Sequence, residues 1–290
     1  MTSTPQSIKD KIFMVTGATS GIGEVTARTL AQMGATVIIV GRDPERGAAA
    51  RERIRSATGS TAVELMLADL SSLKDIRQLA QQFKHKYQRL HVLVNNAGAL
   101  FSARQQSADG IEMTFALNHL NYFLLTNLLL ELLKAGAPAR IVNVSASAHQ
   151  FARRVNFDDL QSQRKYSGWG AYGQSKLCNM LFTYELARRL DGTGVTVNAL
   201  HPGVVATNFG MSGGGLMPLF NRLMSVAMLR PEQGAQTVLY LATSPEVEGV
   251  SGKYYVNQEA VRSSKASYDQ FAADRLWQVS ETMCGRAQVG

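Results

Sequence analysis

The chain has 290 residues, 45 % of them hydrophobic and 18 % charged, which is enough apolar material for a full core and excludes a disordered chain. The 30 basic and 22 acidic residues leave a net charge of +8. The bases are scattered and interleaved with acids, as in Arg51-Glu52-Arg53, so no nucleic-acid stripe forms. Cys178 and Cys284 are too few for a disulfide framework, and no Cys/His spacing suits a metal.

No run of residues reaches the ~20 apolar positions of a membrane span. Residues 1–10 are polar and lack the apolar core of a secretory signal. A soluble, cytoplasmic protein is the expectation.

β-Branched apolar runs alternate with helical patterns along the chain. Strands are expected at residues 12–16, 36–40, 62–67, 92–95, 140–144 and 196–200, and helices at 23–33, 46–58, 72–87, 114–135 and 172–189. This alternation predicts one doubly wound α/β domain over 1–290, its parallel sheet of about seven strands flanked by helices. The first strand runs into Thr16-Gly17-Ala18-Thr19-Ser20-Gly21-Ile22-Gly23, at the start of a helix. Glycines there let backbone N–H groups approach a pyrophosphate, whose charge the helix N-terminus attracts.

The second strand ends in Val40-Gly41-Arg42. Gly41 leaves no carboxylate for ribose hydroxyls, and the adjacent Arg42 guanidinium suits a 2′-phosphate. NADP is therefore expected over NAD. Asp43-Pro44 and Ser72-Leu73-Lys74-Asp75 read as helix starts. Asn95-Asn96-Ala97-Gly98 closes the fourth strand with small residues, as a backbone passing close to a ligand requires.

Ser145 ends the fifth strand, where its hydroxyl would hydrogen-bond a substrate oxygen. Tyr172 and Lys176 stand at i and i+4 of a helix, so the phenol and ammonium share a face. A neighbouring cation would lower the phenol pKa and make Tyr172 an acid/base near neutral pH. Asn118 lies inside an apolar helix, where an amide needs partners.

Taken together, Thr16–Gly23, Asp69-Leu70, Asn95–Gly98, Asn118, Ser145, Tyr172/Lys176 and His201-Pro202-Gly203 resemble the short-chain dehydrogenase/reductase family, in the family's order. The resemblance implies a nicotinamide oxidoreductase acting on an alcohol or carbonyl. Tyr172 would exchange the proton, Ser145 would orient the substrate oxygen, and Lys176 would hold the nicotinamide ribose. Asn118 would hold a water linked to Lys176. Asp69 and Leu70 would contact adenine, and Pro202, Gly203, Val205 and Thr207 the nicotinamide end. A catalytically idle cofactor sensor or scaffold of the same fold is the rival reading.

Ser145 and Tyr172 stand further apart than is usual in the family. Residues 146–168 form the extra segment, and they would border the active site with His149 and Phe151. This gap, Ser251-Gly252-Lys253-Tyr254-Tyr255 and Ala273-Asp274-Arg275-Leu276-Trp277 are similar to the retinol dehydrogenase and protochlorophyllide reductase branch. Residues 204–230, with Phe209, Met211, Leu216, Met217 and Gly213-Gly214-Gly215, are expected to form a mobile loop over a lipophilic substrate, or to touch a membrane surface peripherally. Apolar residues on more than one face of the 114–135 and 172–189 helices predict a homo-oligomer, most simply a homodimer.

Overall fold

The computed structural model describes residues 8–203 and 230–285. The expected loop at 204–230, with Val205 and Thr207, therefore lies outside the described residues apart from Arg230. Eight strands form one sheet: β1 (Ile12–Thr16), β2 (Thr36–Gly41), β3 (Val63–Leu67), β4 (Val92–Asn95), β5 (Ala139–Val144), β6 (Val195–His201), β7 (Lys253–Val256) and β8 (Glu259–Val261). Their spatial order is β3-β2-β1-β4-β5-β6-β7-β8. The first seven strands run parallel, and only β8 pairs antiparallel, at the exposed edge beside β7.

Successive strand residues face opposite layers, which explains the continuous apolar runs. Met14, Ile38 and Val40 join one core, while Phe13, Val15, Val37 and Ile39 join the other. Helices α1 (Gly21–Gln32), α2 (Pro44–Thr58) and α7 (Pro231–Thr243) cover the second. On the first lie α3 (Leu73–Lys86), α5 (Asn121–Ala135), α6 (Gly168–Arg189) and α8 (Gln270–Met283). The expected helix starts hold: the Asp43 carboxylate accepts from the N–H of Glu45 and Arg46, and Ser72 Oγ from that of Asp75.

The expected helix at 114–135 is interrupted. A short turn α4 (Met113–Phe115) is capped by the Glu112 carboxylate and passes into a π-helical turn (Ala116–Leu120) before α5 begins. Asn118 sits in that π turn, and such insertions re-aim side chains at functional sites.

Of the apolar residues that suggested an oligomer, Leu124, Leu125, Leu129, Met180, Leu181 and Phe182 are buried within the chain, and Leu128 is half-buried. Part of their cover is α8, whose Trp277 ring meets Phe123 at 4.9 Å and stacks on Phe182 at 6.0 Å.

Candidate active site

Strand β1 stands between β2 and β4, where the chain reverses its direction of travel across the sheet. Ligands of open α/β sheets bind outside the carboxyl ends of strands at such a point. Two side chains tie the turn after β1 to the one after β4. Thr16 Oγ1 donates to the Val94 carbonyl (3.2 Å) and accepts from the N–H groups of Asn96 (2.9 Å) and Ala97 (3.1 Å). Asn96 Nδ2 donates to the carbonyls of Thr16 (2.8 Å) and Gly17 (3.3 Å).

Gly17 and Gly21 adopt left-handed φ of +64° and +58°, which a side chain would oppose. Gly23 is required by proximity: a Cβ there would lie 2.4 Å from the Gly17 carbonyl oxygen. Ser20 occupies the N-cap of α1 with extended backbone but makes no side-chain cap. By contrast, α2, α3, α6 and α8 are capped by Asp43, Ser72, Ser167 and Asp269. An uncapped helix N-terminus behind a glycine turn fits a pyrophosphate, so Gly17–Gly23 suit a dinucleotide. Arg53 steadies this loop, donating to both Glu24 carboxylate oxygens at 2.8 Å and to the Thr19 carbonyl at 3.4 Å. Ile22 packs partly buried on the core beneath.

At the second strand, a Cβ on Gly41 would sit 2.4 Å from the Thr19 methyl. A side chain at 41 would have to displace the Thr19 methyl. Arg42 is exposed and makes no hydrogen bond or ion pair among the described residues. Asp69 is held in place by Ser71, whose N–H (2.9 Å) and hydroxyl (2.7 Å) donate to its Oδ1. Leu70 is buried in the core, so only its backbone is left for a ligand.

The catalytic candidates meet where β5 ends against α6. Lys176 Nζ donates to the Val144 carbonyl (2.9 Å) and lies 5.6 Å from the centre of the Tyr172 ring. Ser145 Oγ donates to the Lys176 carbonyl (3.1 Å). Asn118 Nδ2 donates to Ser175 Oγ (3.0 Å), which donates to the Tyr172 carbonyl (2.8 Å). The Tyr172 ring packs against Leu100, Ala146 and Ala148, with the exposed Trp169 edge-on at 6.1 Å. Pro202 and the left-handed Gly203 leave the end of β6 at the same carboxyl edge, half-buried.

The Asn95 side chain turns into the core, where both its amide hydrogens go to Thr126 Oγ1 (3.0 Å) and Asn143 Oδ1 (2.9 Å), which leaves its backbone for a ligand. Asn118 also has both amide hydrogens engaged, one on Ser175 and one on the Ala99 carbonyl (2.9 Å), while its Oδ1 accepts from Ala99 N–H (2.8 Å). It clamps the loop after β4 to α6. Gly98 is drawn into the same clamp: a Cβ there would lie 3.1 Å from Asn118 Oδ1 and 3.5 Å from Lys176 Nζ.

One sequence expectation changes here, that of the Tyr172 phenol. Burial pushes it above its ordinary value, not below. The neighbouring Lys176 ammonium is itself pushed down to about 7 by burial, which weakens its opposition to the shift.

The extra segment packs on this region. Tyr166 donates to the Phe101 carbonyl (2.9 Å), and His149 is wholly buried, its Nδ1 hydrogen-bonded to the Ala146 carbonyl (2.7 Å) and its Nε2 accepting Ser264 N–H (3.1 Å). That pair fixes a neutral Nδ1–H tautomer and gives His149 a structural place. Phe151 is 80 % exposed, leaving an apolar side chain open to solvent on the same segment. Two groups escaped the sequence reading. Thr16 bridges β1 and β4 through a hydroxyl that looks like an ordinary strand end. Tyr122, four residues after Asn118, donates its hydroxyl to Val144, the carbonyl that Lys176 also uses.

The profile of the short chain dehydrogenase family matches residues 11–213. Retinol dehydrogenase 12 of Mus musculus is 44% identical over 283 residues, covering 98% of this chain and 89% of that protein. Retinol dehydrogenase 14 of Homo sapiens is 44% identical over 297 residues, covering 97% and 88%. Among solved structures, an uncharacterized protein from Mycobacterium paratuberculosis superposes with a TM-score of 0.79 at 33% identity, covering 97% of this chain and 96% of that one. A short chain dehydrogenase from Escherichia coli CFT073 complexed with NADPH superposes at 0.66 with 26% identity, covering 87% and 98%.

Proposed function

The chain belongs to the short chain dehydrogenase family, and from that premise we propose that it is an NADP-dependent oxidoreductase interconverting a lipophilic alcohol, of the retinoid kind, and its carbonyl compound. The observation that carries the reading is the junction of β5 and α6. There Lys176, Ser145 and the Tyr172 ring are tied together through the Val144 and Lys176 carbonyls.

When bound, the cofactor supplies or accepts the hydride. The Gly17–Gly23 turn and the open α1 N-terminus would hold its pyrophosphate, and Arg42 its 2′-phosphate. Tyr172, kept protonated by burial, donates its proton to the substrate oxygen during reduction and is left as phenolate; oxidation runs from that phenolate, which accepts the alcohol proton. The Ser145 hydroxyl orients that oxygen. Lys176 places positive charge beside the phenol as the proton leaves. The exposed Trp169 beside Tyr172 presents an apolar wall, and the retinol dehydrogenase relatives favour a lipophilic substrate over a sugar.

The test follows NADPH consumption with retinal and a panel of simpler aldehydes, comparing the wild type with Tyr172→Phe. The variant keeps the ring and should lose about 10²–10⁴-fold in turnover while NADPH fluorescence still reports binding. A wild type inert toward every carbonyl, or a Tyr172→Phe variant keeping over half the rate, refutes the assignment.

A further inference from the structure

A lysine whose ammonium is buried needs groups that favour its charge. Lys176 is 3 % exposed, and no carboxylate lies within ion-pair distance of it among the described residues. The groups that face it are few. From β5 comes the Val144 carbonyl, at 2.9 Å. From the loop after β4 comes the uncharged Gly98. From its own helix comes the Tyr172 ring, and from α5 the Tyr122 ring, their centres 5.6 and 5.8 Å from Nζ. Among the described residues the two phenols are the titratable groups around the ammonium, and burial holds both protonated, so neither offers a counter-charge.

Tyr122 is fully buried and points its hydroxyl at the same carbonyl, with Oη 3.2 Å from the Val144 oxygen. A carbonyl oxygen has two lone pairs, and here one takes the ammonium and the other the phenol. Val144 immediately precedes Ser145, so a hold on its carbonyl is also a hold on the serine. The ring of the same residue turns the negative face of its quadrupole toward Nζ within the range of a cation–π contact.

We propose that Tyr122 is a positioning residue for this active site: its ring favours the charged form of Lys176, and its hydroxyl fixes the end of β5 from which both Ser145 and Lys176 are set. It touches neither substrate nor cofactor and acts through the lysine and the strand end. The proposal rests on the reading of Tyr172 and Lys176 given above.

The two roles separate by substitution. Tyr122→Phe keeps the ring and removes the hydroxyl. It should lower kcat by about threefold to tenfold with KM little changed, and leave the alkaline limb of kcat/KM against pH where it is. Placing fluorinated phenylalanines at 122 keeps the ring's shape while draining its face of electron density. As fluorine is added, that limb should move to lower pH, by about half to one unit at the pentafluoro ring. Every variant is first checked by thermal melting. A role confined to packing would change the melt and leave the limb still. A limb that stays fixed across the fluorinated series overturns the proposal for Tyr122 while Tyr172→Phe remains inactive. A Tyr172→Phe variant that keeps its rate overturns the underlying reading of the site, and this proposal with it.

Discussion

Gly23→Ala adds one methyl group to the first turn of α1, where helix propensity alone would welcome it by up to about 1 kcal/mol. The structure reverses that sign. The new Cβ would lie 2.4 Å from the Gly17 carbonyl oxygen and 2.7 Å from Asn96 Nδ2. Neither neighbour yields easily. The first is backbone in a left-handed turn, and the second donates to the carbonyls of Thr16 and Gly17. Opening about 1 Å of space costs roughly 1–3 kcal/mol of overpacking. Losing an Asn96 hydrogen bond adds about 1 kcal/mol. The net expectation is about 1–3 kcal/mol of destabilisation, or a fall of roughly 2–10 °C in melting temperature for a domain of this size. The turn that must move is the one suited to pyrophosphate, so the NADPH dissociation constant should rise at least about tenfold. Gly170→Ala is the control, in the first turn of α6. Its nearest neighbour, Ser167 Cβ, is 3.4 Å away, an ordinary contact, so that variant should be neutral or slightly stabilised. Urea unfolding and NADPH fluorescence titration measure both quantities. If Gly23→Ala matches the wild type in both, or Gly170→Ala loses as much, close packing of the turn is not what requires glycine.

Arg42→Ala should weaken NADPH by about ten- to a hundredfold and leave NADH unchanged, since the exposed guanidinium has no hydrogen-bond or ion-pair partner among the described residues; equal losses for both cofactors would contradict the 2′-phosphate role. The rate should fall as pH rises through about 7, because Lys176 loses its charge there; a rate flat from pH 6 to 9 with chemistry limiting would argue against that ammonium. Stability should move the other way. The folded lysine releases its proton near 7 and the unfolded one near its ordinary 10.5, so between those values the unfolded state binds more protons and this group's contribution grows with pH. Lys176→Met should flatten that slope in urea titrations run at several pH values. Trp277→Ala should cost about 3–5 kcal/mol and uncover part of the α5–α6 face, so sedimentation should show new self-association at micromolar concentration; an unchanged melt would mean α8 is not what seals that face.

What could be read from the chain depended on whether a signal was local. The six strands expected from β-branched runs fall within a residue or so of β1 to β6, because strands buried on both faces advertise themselves without their neighbours. The hairpin β7–β8 did not. Its two-residue turn places Asn257 and Gln258 at φ of +51° and +68°, a conformation that Asn-Gly would announce and Asn-Gln does not. The Tyr172–Lys176 pair was legible from helical spacing, and the glycine turn from its place between strand and helix. The lowered phenol of Tyr172 was misread because it depends on groups far away in sequence, the enclosing wall of Leu100, Ala146 and Ala148. The apolar faces of α5 and α6 were read as needing cover, and part of that cover comes from Trp277 of the same chain, of which nothing near residues 124 or 182 tells. Tyr122 was not legible at all, since only the shared Val144 carbonyl distinguishes it from an ordinary core tyrosine. The chemistry of this site is thus written locally in its proton-carrying residues and non-locally in the carbonyls and rings that set their charge.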